Sequence, residues 1–178
     1  MTVARAFWGY IETRDHRLMR RVHRWRAPRW FRWWMLAATR LGDGWIWYAI
    51  GLILLMFGGR ERYIAVGVAT ITAALSVTLF LQLKKLAHRK RPCATERSCW
   101  ATLLPPDQFS FPSGHSMTAF SVAVPLSLYY PSLEAGLLFC ALSIAASRIL
   151  LGLHFLSDVL AGSLLGAILG YFVFSLFQ

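Results

Sequence analysis

The sequence is poor in acid. Its 178 residues include 8 aspartates and glutamates against 19 lysines and arginines, a formal net charge of +11. Cysteine is scarce too, at three residues, which excludes a disulfide scaffold. Cys140 falls in an apolar run and reads as a buried small residue. Cys93 and Cys99 share one loop and could pair or stay as free thiols. No Cys/His group has the spacing of a zinc site. Charged residues of both signs reach only 15%, whereas 57% are hydrophobic. A soluble domain of this length cannot bury that much apolar surface, so the chain reads as a membrane protein. The N-terminus lacks the apolar core of a secretory signal, so no cleavage is expected there.

The positive charge is uneven. Residues 1–40 contain ten arginines against Glu12 and Asp15, so they carry +8 of the +11. Beside long apolar runs, the expected partners of such a segment are anionic lipid headgroups, not nucleic acid. Residues 3–24 read as an amphipathic helix with Phe7, Ile11, Leu18 and Val22 near one face. It is too charged to span a bilayer and suits the interface. Pro28 ends it. Residues 29–41 form a second helix dense in tryptophan, a ring that favours the headgroup layer. Residues 1–41 are therefore one unit, a basic interfacial region, and residues 42–178 a transmembrane core.

The fold class expected for the core is an all-α membrane bundle of about five to six spans. Gly42-Asp43-Gly44 is a break. Trp45 to Gly59 is short for a span and needs residues from Leu41 onward to reach about 20. Tyr63 to Leu83 is uncharged. A helix should start near Gly114, with Ser113 as its N-cap and a kink at Pro125. Ala135 to Leu153 and Leu156 to Phe177 complete the set. Gly162, Gly166 and Gly170 recur every four residues, which permits close helix contact, within the bundle or with another copy. Threading these spans brings Lys84, Ser113, Arg148 and the start of the last span to one membrane face.

The polar residues at that face suggest chemistry. In Phe111-Pro112-Ser113-Gly114-His115-Ser116, a glycine permits close backbone approach, and the helix start favours an anion such as phosphate. His115 stands there with a proton to give or take. Lys84 and Arg91 are seven residues apart, two turns on one face if the helix continues, and Pro92 ends it. Arg148 lies about six residues inside an apolar span, costly unless paired or hydrated. His154 and Asp158 are four residues apart on one helix face, where a carboxylate can hold one ring nitrogen and sharpen the other. Two histidines, a carboxylate and three cations suit phosphoryl transfer. With no second acidic cluster for magnesium, no metal and no cofactor are expected.

Lys84-(six residues)-Arg91-Pro92, Pro112-Ser113-Gly114-His115 and Ser147-Arg148-(five residues)-His154-(three residues)-Asp158 together resemble the three-part signature of the type-2 phosphatidic acid phosphatase family. The resemblance covers about residues 63–177. It implies a lipid phosphatase in which His154 attacks phosphorus to form a phosphohistidine, Asp158 orients it, and His115 serves as acid and then base. Lys84, Arg91, Ser113, the Gly114 N–H and Arg148 would hold the phosphate. Substrates implied are phosphatidic acid, phosphatidylglycerol phosphate, prenyl diphosphates such as undecaprenyl diphosphate, or lipid A. Two other readings use the same residues, transfer of the phosphoryl group to another alcohol and vanadate-dependent oxidation, and a third, a membrane scaffold or lipid-binding protein without catalysis, uses the basic surface. The resemblance implies a bacterial inner-membrane protein with its site toward the periplasm. The basic N-terminus votes for the cytoplasm. Nothing in the sequence speaks to oligomeric state.

Overall fold

The structure is a computed structural model that describes residues 3–92 and 109–178. Cys93 and Cys99 lie outside the described residues. Helices dominate: α1 (Val3–Arg24), α2 (Arg29–Leu41), α3 (Trp45–Phe57), α4 (Arg62–Ala87), α5 (Gly114–Tyr129), α6 (Glu134–Leu150) and α7 (Leu156–Leu176). The described residues hold no β-strand, only an isolated bridge between Lys90 and Phe109.

Among the described residues, three helical stretches are long and apolar enough to cross a membrane: Gly59–Ala87, which contains α4, Pro131–Leu150, which contains α6, and α7. The other two expected segments are present but shorter. Gly44 has φ +121°, a value open to glycine, and ends any continuation from Leu41. As a result α3 does not borrow residues from α2. The two meet at 65°, a bent pair that makes a fourth span if counted together. Helix α5 has 16 residues and is the centre of the bundle, with ten of them buried.

Polarity explains the arrangement. Leu160, Leu164, Ile168, Tyr171 and Phe172 on α7 are more than half exposed, an apolar surface suited to lipid. The inner face of α7 is glycine. A Cβ on Gly162 would sit 2.5 Å from the Ser113 carbonyl oxygen, and one on Gly166 would sit 2.1 Å from that of Met117. Backbone therefore packs on backbone, and the glycine stripe is used inside the bundle. Across α5, an apolar cluster including Leu54, Ala65, Val122, Leu126, Leu137 and Ile144 joins α3, α4 and α6. Cys140 is only partly buried and packs against this cluster.

The N-terminal helices rest on the same end of the bundle. Met35 of α2 packs with Leu151 and Leu153, just beyond α6. Helix α1 leaves most of its apolar stripe at the outer surface. Its Ile11, Leu18 and Val22 are only half-buried, and the side chain of Phe7 is outside the described set. The buried residues are Asp15, Met19 and His23. A polar residue thus faces inward, where its hydrogen-bond partners offset the cost of burying it.

Candidate active site

The site forms where α4 ends, α5 starts, α6 ends and α7 starts. All the motif residues expected from sequence meet there, though not all by the expected local geometry. Helix α4 stops at Ala87, with His88 in the left-handed region at φ 48°. Lys84 and Arg91 are therefore not on one continuous helix. The chain turns back, and Arg91 reaches the site from the loop. Both side chains are buried, at 7% and 4% exposure. Arg91 Nη1 donates to the Leu153 carbonyl at 2.8 Å and lies 3.1 Å from His154 Nε2.

Helix α6 ends at Leu150, so Arg148 is in its last turn rather than six residues inside a span. It is buried nonetheless and donates to Thr39 Oγ1 of α2. Its backbone carbonyl accepts from the N–H groups of Leu153 and His154, both at 3.0 Å. These bonds fold residues 151–155 into a tight turn that presents His154. The other motif serine, Ser147, bonds locally to the Ile144 carbonyl at 2.6 Å.

His154 is 1% exposed. Its Nδ1 lies 2.7 Å from the carbonyl oxygen of Ser110. A carbonyl can only accept, so Nδ1 carries the hydrogen and Nε2 keeps its lone pair. Burial, then the charges of Arg148, Arg91, Lys84 and His115, hold the pKa of His154 well below its usual 6.5. The ring is therefore neutral, with Nε2 available as a nucleophile.

The expected ring contact of Asp158 is not direct. Its Oδ2 is 3.7 Å from Nδ1 and instead accepts the Phe155 N–H at 2.9 Å. That bond caps the first turn of α7. Its Oδ1 accepts from Arg89 Nη1 at 2.6 Å. Asp158 thus shapes the turn after His154, while the Ser110 carbonyl sets the tautomer. The Asp158 carbonyl also accepts from the Ser113 N–H at 3.0 Å, tying the two motifs together.

Ser113 occupies the N-cap of α5 as expected, but its hydroxyl bonds to Ser116 Oγ at 2.9 Å and makes no side-chain cap. Gly114 is buried against Phe80, whose ring carbons lie 3.1–3.2 Å from where a Cβ would be. Lys84 Nζ is 5.4 Å from the same ring centroid, within cation–π reach. His115 is set apart from His154: its side chain is 28% exposed, and its Nε2 lies 2.7 Å from Asp43 Oδ1. The carboxylate accepts the hydrogen of that ring nitrogen. His115 also borders a cavity of about 510 Å³ between α3, α4 and α5, walled by Trp47, Val66, Ala73, Val77 and Phe80 among others.

Five partners were not assigned from sequence. Ser110 holds His154 through its carbonyl, which leaves no side-chain signature. Arg89 sits in the run His88-Arg89-Lys90 with nothing to distinguish it. Thr39 is one small polar residue in an amphipathic helix. Asp43 and Asp15 did carry a signal, a carboxylate between two glycines and a rare acid among arginines.

The fold and this buried polar cluster define a class: a helical membrane protein with a paired-histidine, multi-cation site at one end of its bundle. The PAP2 superfamily profile matches residues 62–178, and the chain belongs to that superfamily. It is 30% identical over 149 residues to a lipid A 1-phosphatase of Rhizobium johnstonii, an alignment covering 72% of this chain and 61% of that one. It is 33% identical over 141 residues to the decaprenylphosphoryl-5-phosphoribose phosphatase of Mycobacterium tuberculosis, covering 73% and 70%. Among solved structures, it resembles the transmembrane PAP2-type phosphatidylglycerolphosphate phosphatase of Bacillus subtilis. The TM-score is 0.72 at 25% identity, over 94% of this chain and 86% of that one. The chain spans 61% and 64% of the length of the first two curated relatives it matches.

Proposed function

We propose that this protein is a metal-independent lipid phosphatase that works through a phosphohistidine at His154. The observation that carries this reading is the His154 ring: buried, neutral, held by the Ser110 carbonyl, with Nε2 facing Arg91. In the first step Nε2 attacks phosphorus, and the bond from phosphorus to the lipid oxygen breaks. His115 donates a proton to that leaving oxygen. In the second step His115 takes a proton from water, which displaces the imidazole and releases phosphate. Lys84, Arg91 and Arg148, with Ser113 and the Gly114 N–H, bind the phosphate oxygens and the charge that grows on them. Asp158 positions the turn that carries His154.

The substrate is a phosphomonoester or diphosphate of a lipid. The three relatives above act, by name, on lipid A, a decaprenyl-linked sugar phosphate and phosphatidylglycerol phosphate. Such different headgroups share one feature, a phosphate held at a membrane surface, and the cavity beside His115 suits a lipid that enters sideways. Residues 1–41 act as the basic interfacial unit against anionic headgroups, and residues 42–178 as the catalytic core.

We place the protein in a bacterial inner membrane with the site toward the periplasm, on its likeness to bacterial lipid phosphatases. Helices α1 and α2 lie at the site's end of the bundle and Gln178 at the other. A reporter fused to Gln178 that is active only in the cytoplasm supports this orientation, and one active only in the periplasm reverses it.

The test of function is phosphate release by detergent-purified protein in a chelator. The panel holds phosphatidic acid, phosphatidylglycerol phosphate, undecaprenyl diphosphate and lipid A. Wild type should release phosphate from at least one of them, and His154→Ala from none. Strict magnesium dependence, or undiminished release by His154→Ala, would overturn the mechanism. Appearance of the phosphate on an added alcohol instead of in water would make the protein a transferase.

A further inference from the structure

The arginine-rich helix α1 does more than rest on a surface. Its Asp15 is 5% exposed and reaches across 142 residues of sequence to the start of α7. Asp15 Oδ1 accepts the Ser157 N–H at 3.2 Å, and Oδ2 accepts the Ser157 hydroxyl. Arg89 closes the group. Its Nη2 donates to Asp15 Oδ2 at 2.7 Å, and its Nη1 to Asp158 Oδ1 and Ser157 Oγ, both at 2.6 Å. The guanidinium also lies 4.4 Å from the centroid of Phe155, the residue after His154, and His16 of α1 meets the same ring edge-on at 4.9 Å.

One cation is thus shared by two buried carboxylates, one on each side. The Asp158 side chain has no solvent exposure, so its charge depends on Arg89, the Phe155 N–H and the Ser110 side chain. The planar fork of an arginine can serve two carboxylates at once, which a lysine ammonium cannot do with the same geometry. Arg89 is also tied to His154 by its backbone. Its carbonyl accepts the Ser110 N–H at 2.7 Å, and the Ser110 carbonyl holds His154 Nδ1. Every contact in this group bears on residues 154–158 or on the carbonyl that sets the His154 tautomer.

The seating of α1 is polar by construction. A cavity of about 400 Å³, lined by Trp8, Ile11, Glu12, Ala87, Arg89 and Phe111, separates its first turns from the end of α4. The apolar stripe of α1 does not close that gap, and Asp15 makes the connection.

We infer that Asp15 and Arg89 are positioning residues for His154, so that the seating of α1 governs turnover. This rests on the phosphohistidine reading. Neither residue touches substrate. They hold the turn that aims Nε2, and a small misplacement of a nucleophile can cost up to about a hundredfold in rate.

Arg89→Ala is a poor test, because it leaves two buried carboxylates facing each other. Asp15→Asn keeps the shape, and Arg89 still has Asp158 as counter-ion, so the protein should fold. Its kcat should fall about tenfold with KM changed less than about twofold. Asp15→Glu should recover part of that loss. Arg89→Lys should lose a similar factor, and the double variant Asp15→Asn/Arg89→Lys no more than the worse single, as expected of one network. Wild-type kcat in Asp15→Asn, or losses that multiply in the double variant, would overturn the inference. Hydrogen exchange of residues 151–159 gives a readout independent of substrate. It should quicken in Asp15→Asn while α4 is unchanged, and unchanged exchange in 151–159 would also overturn the inference. Silence of the wild type toward every substrate counts against the proposed function alone, and exchange then decides the role of Asp15.

Discussion

Helix α5 meets α7 on one side and α3 with α4 on the other, and the two contacts have little in common. Against α7 there is no room for a methyl group at Gly162 or Gly166. Against α3 and α4 there is a cavity of about 510 Å³. The two histidines divide the same way. His154, at the head of α7, is sealed at 1% exposure, whereas the side chain of His115, at the cavity, is 28% exposed. The nucleophile role proposed for His154 suits a dry, rigid setting that keeps the ring neutral and aimed. The role proposed for His115, exchanging protons with a leaving oxygen and with water, needs an opening. One helix supplies both because its two faces follow different packing rules.

The strongest way to break this comparison is to crowd the closed side. Gly166→Ala should destabilise the protein by about 3 kcal/mol or more, since its new methyl would meet the Met117 carbonyl, and backbone cannot move aside as a side chain can. Gly170→Ala, whose Cβ would lie 2.9 Å from Pro125 Cδ and Ser121 O, should cost less, about 1–2 kcal/mol. Thermal midpoints in one detergent rank them, and equal midpoints would mean that the seam yields.

Filling the open side should act on substrate instead of stability. Val77 lines the cavity and is 39% exposed. Val77→Trp should leave the midpoint near wild type and lower kcat/KM for a long-tailed lipid phosphate about tenfold, near 1.4 kcal/mol. A short-chain, water-soluble analogue should be affected little. An equal loss for both would show that the tail does not run through the cavity. A smaller effect is expected at the cavity's mouth, where Asp43→Asn removes the carboxylate beside His115. The ring then loses a charge-assisted hydrogen bond that orients it, worth about 1 kcal/mol, so kcat should fall about fivefold.

The smallest effect concerns the sealed histidine. Its folded pKa is depressed below the usual 6.5, so the stability tied to its neutral form is complete above pH 6.5. That stability is lost as pH falls, because the unfolded chain takes up a proton that the folded one refuses. Between pH 6.5 and 5.5 the loss should be about 1 kcal/mol. A pH series of midpoints for wild type and His154→Gln measures it. Parallel curves would mean that His154 is not held neutral.

Much of this was legible in the sequence because it depends on local pattern. Helix starts at Gly114 and Leu156 follow from the Pro112-Ser113-Gly114 sequence and from the apolar runs, although the Ser113 hydroxyl caps nothing. The glycine spacing declares a close contact, and the order Lys84, Arg91, His115, Arg148, His154, Asp158 names the site. The break at Gly42-Asp43-Gly44 was also readable, though not the 65° bend it makes. What failed were inferences that extend a helix beyond its own signals. Arg91 lies beyond the α4 terminus, and Arg148 sits in a last turn, because the backbone turns where carbonyls find better partners.

Composition alone determined that this chain must live in a membrane, and three short motifs determined which side chains gather at one end of it. Tertiary structure decided how they are held. Asp158 reaches Arg89 and a backbone N–H, the Ser110 carbonyl takes the His154 ring, and Asp15, Thr39 and Asp43 arrive from helices and a turn outside the matched residues 62–178. The reason is physical. Which residues are apolar or charged can be read along the chain. Which buried charge finds which donor depends on distances between segments up to 142 residues apart in sequence, and only the packed bundle sets those.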